Sequence, residues 1–325
     1  GGGWAVNAID HFIARKLTVH ELSPAPAADR RTLIRRVCLD LTGLPPAPEQ
    51  FSSFLDDESP DAYEKLIDRL LDSPRYGERQ ATLWLDLVRY ADSDGYKSDH
   101  YRPEAWRYRD YVIRSFNTNK PYDRFVREQL AGDEIDPGNR DALIATMFLR
   151  HWIYEYNQRD VETQWRDILA DVTNVTGDVL LGMGLQCARC HDHMFDPIRQ
   201  RDYYQLQAFL AATHEHDVVL ATQEERGNHQ RLTTEIEAQI ELLNKQLADA
   251  DVEKKKNLQG VLDRLKERLP RPLPLISSMH NDMGKRSPIH VLDRGLEDKP
   301  GEAVGMRVLA VFLPCLLYTS PSPRD

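Results

Sequence analysis

Residues 186–206, QCARCHDHMFDPIRQRDYYQL, concentrate the chemistry of this chain: two cysteines, two histidines and two aspartates fall between Cys187 and Asp196. Cys187-Ala188-Arg189-Cys190-His191 fits C-x-x-C-H. Two thiols at that spacing can each form a thioether with one haem, and the adjacent imidazole then lies where an axial ligand is needed. Three other chemistries share the same letters. Zinc could take Cys187 and Cys190 with His191 and His193, the downstream HEH at His214 to His216 completing the site, although zinc sites usually draw on two separated pairs. A redox dithiol of thioredoxin type expects the motif at a helix start after a strand, whereas here it follows a helical pattern. In an oxidising compartment the pair could close as a disulfide. A bound haem also needs a sixth ligand or an open face, for which Met183, Met194, His193, His214 and His216 are the candidates. Asp192 and Asp196 could orient imidazole N–H groups, and Asp196-Pro197 reads more simply as the start of the next turn.

A second polar concentration occupies residues 89–110, RYADSDGYKSDHYRPEAWRYRD. Asp92, Asp94, Glu104, Arg107, Arg109 and Asp110 are the weaker catalytic candidates, since paired carboxylates can perform acid–base hydrolysis on a substrate such as a carbohydrate. The competing reading is a lattice of ion pairs on helix surfaces, with Trp106 and Tyr108 forming a packing corner.

The elements that must position these residues follow from apolar periodicity. NAIDHFIARKL places Ile9, Phe12, Ile13 and Leu17 at helical spacing. DRRTLIRRVCLDLTG has an acidic start and stops at Gly43, before the breaker LPPAP, with Cys38 among the apolar positions as a small buried thiol. In SPDAYEKLIDRLLDS, Ser59 is the expected cap and Pro60 the first helical residue. Four further helical segments follow: PRYGERQATLWLDLVRYA, PEAWRYRDYVIRSFN, KPYDRFVREQLAG and RDALIATMFLR. VETQWRDILADVTNVTGDVLLGMG carries a continuous apolar face from Val161 to Leu180 and ends at Gly182 and Gly184, so the cysteine motif hangs from its end. QRDYYQLQAFLAA then returns to helix. Ile236, Ile240, Leu243 and Leu247, then Leu258, Val261 and Leu265, predict a long antiparallel hairpin of charged helices. SPIHVLDRGLEDKPGEAVG predicts a short strand and turns.

The expected fold is therefore all-α: a multi-helix globular domain with a long antiparallel helical hairpin and a short β-containing C-terminal segment. The expected divisions are a helical domain over 4–222, a hairpin arm over 223–269, and a linker leading into a truncated domain over 270–314. The last eleven residues, CLLYTSPSPRD, read as a translated sequencing adapter, so 315–325 are expected to be an artefact, and with a start at Gly1 without Met the chain is expected to be a fragment at both ends. Cys315 then leaves the count, and one C-x-x-C pair remains.

With 325 residues, 41% of them apolar, the chain can bury a substantial core. A formal net charge of −10 argues against nucleic acid as a main partner. No run approaches the roughly 18 apolar residues of a membrane span.

Several long stretches in order, namely ADRRTLIRRVCLDLTGLPPAPEQ, SPDAYEKLIDRLLDSPRYGER, WLDLVRYADSDGY, WRYRDYVI, PYDRFVREQLAGD and GLQCARCHDHMFDPIRQRDYYQLQAF, resemble the planctomycete cytochrome-c-like family, a domain of unknown function. The resemblance covers nearly all of residues 4–314. It implies haem c held by Cys187, Cys190 and His191, with His193 in the family's H-x-H extension. It also implies an exported, periplasmic protein whose partners are an N-terminal cytochrome-c domain and a C-terminal family domain, joined near IHVLDRGLEDKPGEAVG. No settled activity comes with it. The expected function is electron transfer or a redox step on an unknown substrate. The alternatives are a hydrolase-like or carbohydrate-associated domain with zinc or a disulfide at the loop, and a non-catalytic scaffold using the charged hairpin as a partner surface.

Overall fold

The computed structural model describes residues 4–97, 99–154, 161–249 and 252–313; the adapter-like residues 315–325 lie outside these. The chain forms two compact units, one running through Thr82 and one from Leu83 onward. Most described residues are helical, in twelve α-helices, with four short strands.

The first unit holds α1 (Ala8–Val19), α2 (Arg30–Thr42), α3 (Pro48–Asp56), α4 (Ala62–Leu71) and the start of α5 (Pro74–Leu87). Asp29 caps α2 by accepting from the Thr32 N–H at 2.9 Å, and Gly43 ends it at φ +71°, a left-handed position that suits a residue without Cβ. Ile34, Val37 and Cys38 of α2 pack with Phe54 of α3 and Leu66 and Leu70 of α4 into one apolar cluster. Three details differ from the sequence expectation. The segment after the LPPAP breaker continues as α3, started by Pro48 at a position that needs no N–H. α4 begins two residues beyond Pro60, because the Ser59 hydroxyl turns back to Asp57 Oδ1 at 2.5 Å. α1 buries nothing: Ile9 and Phe12 are about 70% exposed (69% and 72%).

The second unit contains α6 (Trp106–Asn117), α7 (Tyr122–Ile135), α8 (Arg140–Ala145), α9 (Val161–Val175), α10 (Gln200–Leu210), α11 (Gln223–Asp249) and α12 (Val252–Glu267). Its core includes a buried polar network. The Tyr108 hydroxyl donates to Gln129 Oε1 at 2.5 Å and accepts from Trp84 Nε1 at 3.0 Å, so a fully buried phenol has both roles filled. Glu128, 3% exposed, accepts from the Tyr111 hydroxyl, Arg124 Nε and Lys120 Nζ. Burial works to raise its carboxyl, but these hydrogen bonds outweigh burial and hold it below the usual range. α7 and α8 meet at Gly132, where a Cβ would stand 2.0 Å from the Ala142 carbonyl oxygen.

Strand β1 (Thr213–Val219) pairs antiparallel with β2 (Leu275–Asn281), in a register that sets His216 opposite Ser278. Neither strand was expected from sequence, and the histidines of HEH belong to β1. Thr146 anchors β2: its hydroxyl lies 2.8 Å from the Ser278 hydroxyl and accepts from the Met279 N–H at 3.0 Å. Between the strands in sequence run α11 and α12, which pack on each other. On α11 the least exposed positions include Ile236, Ile240, Leu243 and Leu247, as the periodicity implies; on α12 Leu265 is buried and Leu258 half-buried, again as the periodicity implies, while Leu262 is buried in place of Val261, which is turned out. Strands β3 (His290–Leu292) and β4 (Pro300–Ala303) pair antiparallel where the sequence suggested strand and turns.

Candidate functional site

The C-x-x-C-H loop is held by its apolar and small residues. After α9 the chain makes a π-helical turn, Thr176–Leu181, closed by Gly182 at φ +63°. A Cβ at Gly177 would stand 2.3 Å from Leu185 Cδ1, so glycine allows Leu185 to bury completely. Leu185 and Ala188, both 0% exposed, pin a 3-10 turn over Leu185–Arg189, and the same turn leaves Cys187 and Cys190 facing outward. Both are free thiols, exposed at the surface. The Arg189 carbonyl accepts from the Tyr204 hydroxyl at 2.8 Å and from Gln200 Nε2 at 3.0 Å; that amide also donates to the Leu292 carbonyl at 2.7 Å. Asp192 Oδ1 accepts from the Gln200 N–H at 2.8 Å, satisfying a donor in the first turn of α10.

The two loop histidines differ in what their rings are used for. His191 is exposed, and its Nδ1 lies 2.7 Å from the Asp192 carbonyl oxygen. A carbonyl only accepts, so Nδ1 carries the proton and Nε2 keeps its lone pair, the tautomer a metal-ligating imidazole needs. His193 is the reverse. Its Nδ1 accepts from the N–H groups of Asp196 at 2.8 Å and Phe195 at 3.3 Å, which leaves the proton on Nε2. Ligation through His193 would break the acceptor role that folds the turn. Of the carboxylates expected behind these rings, Asp196 does stand there, its Oδ2 3.4 Å from His193 Nδ1, whereas the Asp192 backbone, not its side chain, takes the His191 N–H; the Asp196 carbonyl also accepts from the Ile198 N–H at 2.7 Å in the expected turn.

A segment far along the chain closes on this loop. A Cβ at Gly295, where φ is +72°, would lie 2.7 Å from Cys190 Sγ, and Glu297 faces Arg166 at 3.3 Å and Arg189 at 3.9 Å. The remaining axial-ligand candidates are spread over other elements. His214 stacks on Trp165 with ring centres 4.9 Å apart, His216 lies 4.6 Å from His280, and Met194 is 78% exposed beside Phe195. Among the described residues no group of three or more His, Cys, Asp or Glu side chains is placed to hold a metal ion.

The second concentration of polar residues is divided by the fold. Asp92 accepts from the Tyr90 hydroxyl at 2.7 Å, Arg107 pairs with Glu104 and covers the Trp106 ring, and Arg109 pairs with Asp110 at 3.0 Å. Asp94 and Glu104 alone among the candidates line a cleft of about 580 Å³. The opposite side is formed by residues that sequence reasoning passed over, including Arg150, His151 and Asp217. Burial, then the guanidiniums of Arg89, Arg102 and Arg150, push the His151 imidazole down to about 3.

No curated protein and no solved structure matches the chain. Residues 8–215, running from α1 through the loop to β1, match the family described as PSCyt2, protein of unknown function (DUF1549), and the chain belongs to that family.

Proposed function

We propose that the loop is a site for covalent haem c, with Cys187 and Cys190 as the attachment thiols and His191 as the iron ligand, in an exported protein that passes electrons. The observation that carries this reading is the His191 ring: exposed, held at Nδ1 by a backbone carbonyl, with its Nε2 lone pair directed away from that bond. Supporting it, both thiols are free and outward while the residue between them, Ala188, is buried, so the turn presents sulfur without unfolding. Met194 and Phe195, 78% and 87% exposed, supply apolar surface on the same loop, suited to the edge of a porphyrin. The haem iron would supply one-electron exchange; the chain anchors the ring, fixes the imidazole tautomer, and sets the loop against α10. Exported localisation belongs to the same proposal, because this attachment is made outside the cytoplasmic membrane. So does the reading of 223–269 as an antiparallel hairpin arm, whose connecting residues 250–251 lie outside the described residues.

The test is expression with an export signal in a host with haem-c maturation, followed by pyridine haemochrome spectra of the denatured chain. The expected result is a c-type spectrum lost in Cys187→Ser/Cys190→Ser. His191→Ala should retain less haem and show an altered Soret band. A correctly exported chain without covalent haem would overturn the proposal.

A further inference from the structure

The cleft beside residues 92–104 is built differently from an accidental gap between ion pairs. Its volume, about 580 Å³, lies within the range of small-molecule sites. One wall is a folded-back loop: Asp94 N–H donates to the His100 carbonyl at 2.9 Å, Arg102 N–H to the Asp92 carbonyl at 2.8 Å, and Tyr154 N–H to the Asp94 carbonyl at 3.1 Å. Arg102 fixes the same wall, donating to Asp94 at 2.5 Å and to the Trp152 carbonyl at 2.6 Å. The facing wall comes from β1 and β2, where Arg150 reaches Asp217 at 2.6 Å and Glu215 at 3.5 Å.

His151 is an independent sign that the cleft takes a ligand. It is 5% exposed and lines the cleft, and although the Val88 backbone lies close enough to interact with the imidazole, neither ring nitrogen makes a hydrogen bond of normal geometry. Buried polar groups are rarely left so, and one beside a cavity marks a place for an incoming donor or acceptor.

The lining selects a chemical class. Four carboxylates (Asp94, Glu104, Glu215, Asp217) alternate with two guanidiniums (Arg102, Arg150), and the exposed Tyr101 ring stands at the rim. An anion would meet the excess of carboxylates, and a cation would have to sit beside two arginines. A neutral polyol meets neither cost. Each of its hydroxyls donates once and accepts twice, which matches a wall where arginines with five N–H donors each stand next to carboxylates with about four acceptor positions each. The 70% exposed Tyr101 ring adds an apolar face for the C–H side of a pyranose. We infer that this cleft binds a neutral saccharide, at a site separate from the cysteine loop.

The test is calorimetry on the full chain with cellotetraose, xylotetraose, mannotetraose and laminaritetraose, with putrescine and trigalacturonate as charged controls. The expected result is saturable binding of at least one neutral tetrasaccharide. Its affinity should fall about tenfold or more in Tyr101→Ala and in Glu215→Gln, both at exposed positions, with unchanged circular dichroism; about tenfold corresponds to one lost contact of roughly 1.4 kcal/mol. Cys187→Ser/Cys190→Ser should bind as tightly as the parent chain, which separates this inference from the fate of the haem proposal. Binding of none of the four sugars, binding of a charged control alone, or sugar binding untouched by both substitutions would each overturn it.

Discussion

Gly295→Ala tests whether the turn at 293–295 is part of the cysteine loop's support. Two costs are separable. The first is conformational: at φ +72° an alanine carries a left-handed penalty of about 1 kcal/mol. The second is steric. The new Cβ would sit 2.7 Å from Cys190 Sγ, well inside the roughly 3.5–4.0 Å at which non-bonded heavy atoms rest. Cys190 is exposed, so its thiol can swing away at an off-rotamer cost of about 1 kcal/mol. The total is then about 2 kcal/mol in the parent chain and about 1 kcal/mol in a Cys190→Ala background, where only the conformational part survives. The assay is a double-mutant cycle by urea unfolding, followed by tryptophan fluorescence; four of the five tryptophans (all but Trp4) lie in the second unit. A coupling energy near 1 kcal/mol is expected. Coupling below about 0.3 kcal/mol, the scatter of independent sites, would refute the contact. With haem attached at Cys190 the sulfur could not swing, and the coupling should grow.

Two further outcomes follow from buried charge. Glu128→Gln removes the counter-charge of Lys120, whose side chain is 15% exposed, and should cost about 3 kcal/mol, a fall of about 6–12 °C in Tm. Because the folded carboxyl is held below its unfolded value, this contribution is complete above pH of about 4.3 and is lost as pH falls through the folded value; parent and variant should therefore converge in acid, and a constant gap down to pH of about 2 would contradict the charge account. His151 is shifted the other way round for a base: burial and then Arg89, Arg102 and Arg150 keep it neutral, so between pH 6.5 and about 3 the unfolded chain binds a proton that the folded chain refuses. Stability should fall as the pH is lowered across that window, by at most about 1.4 kcal/mol per unit from this group. His151→Phe should flatten the slope by that amount in urea titrations, and identical slopes would count against it.

What the sequence makes legible is what lies on one element. The caps and apolar spacing of α2, and α9 with the glycine-closed turn after it that delivers the cysteine loop, are written in consecutive residues and follow from period and turn chemistry. The fold's non-local pairs leave no such trace. Thr146 meets Ser278, Arg150 meets Asp217, and Cys190 meets Gly295 across separations that no periodicity records. β1 was hidden because THEHDVV exposes its middle and half-buries its ends, with no alternation to read, and β2 because LISSMHN buries three positions without a period of two. His193 was a ligand by residue type; only the two N–H groups aimed at its Nδ1 show that the ring serves the turn.

The family match ends at Thr213–Val219's third residue, yet the loop it contains is completed from outside that range. Gln200 binds the Arg189 and Leu292 carbonyls with one amide, so it couples the cysteine turn directly to β3. Glu297 places a carboxylate between Arg166 on α9 and Arg189 inside the motif, and Gly295 lets the backbone approach Cys190 without a side chain in the way. β1 likewise needs β2, because an unpaired strand would expose a row of backbone donors and acceptors. The loop's chemistry is thus local, carried by five consecutive residues, while its rigidity is long-range. Substitutions at 290–297 should act on the motif as strongly as substitutions on the helices that flank it, because Leu292 shares the Gln200 amide that binds the Arg189 carbonyl, Glu297 faces Arg189, and Gly295 lies against Cys190.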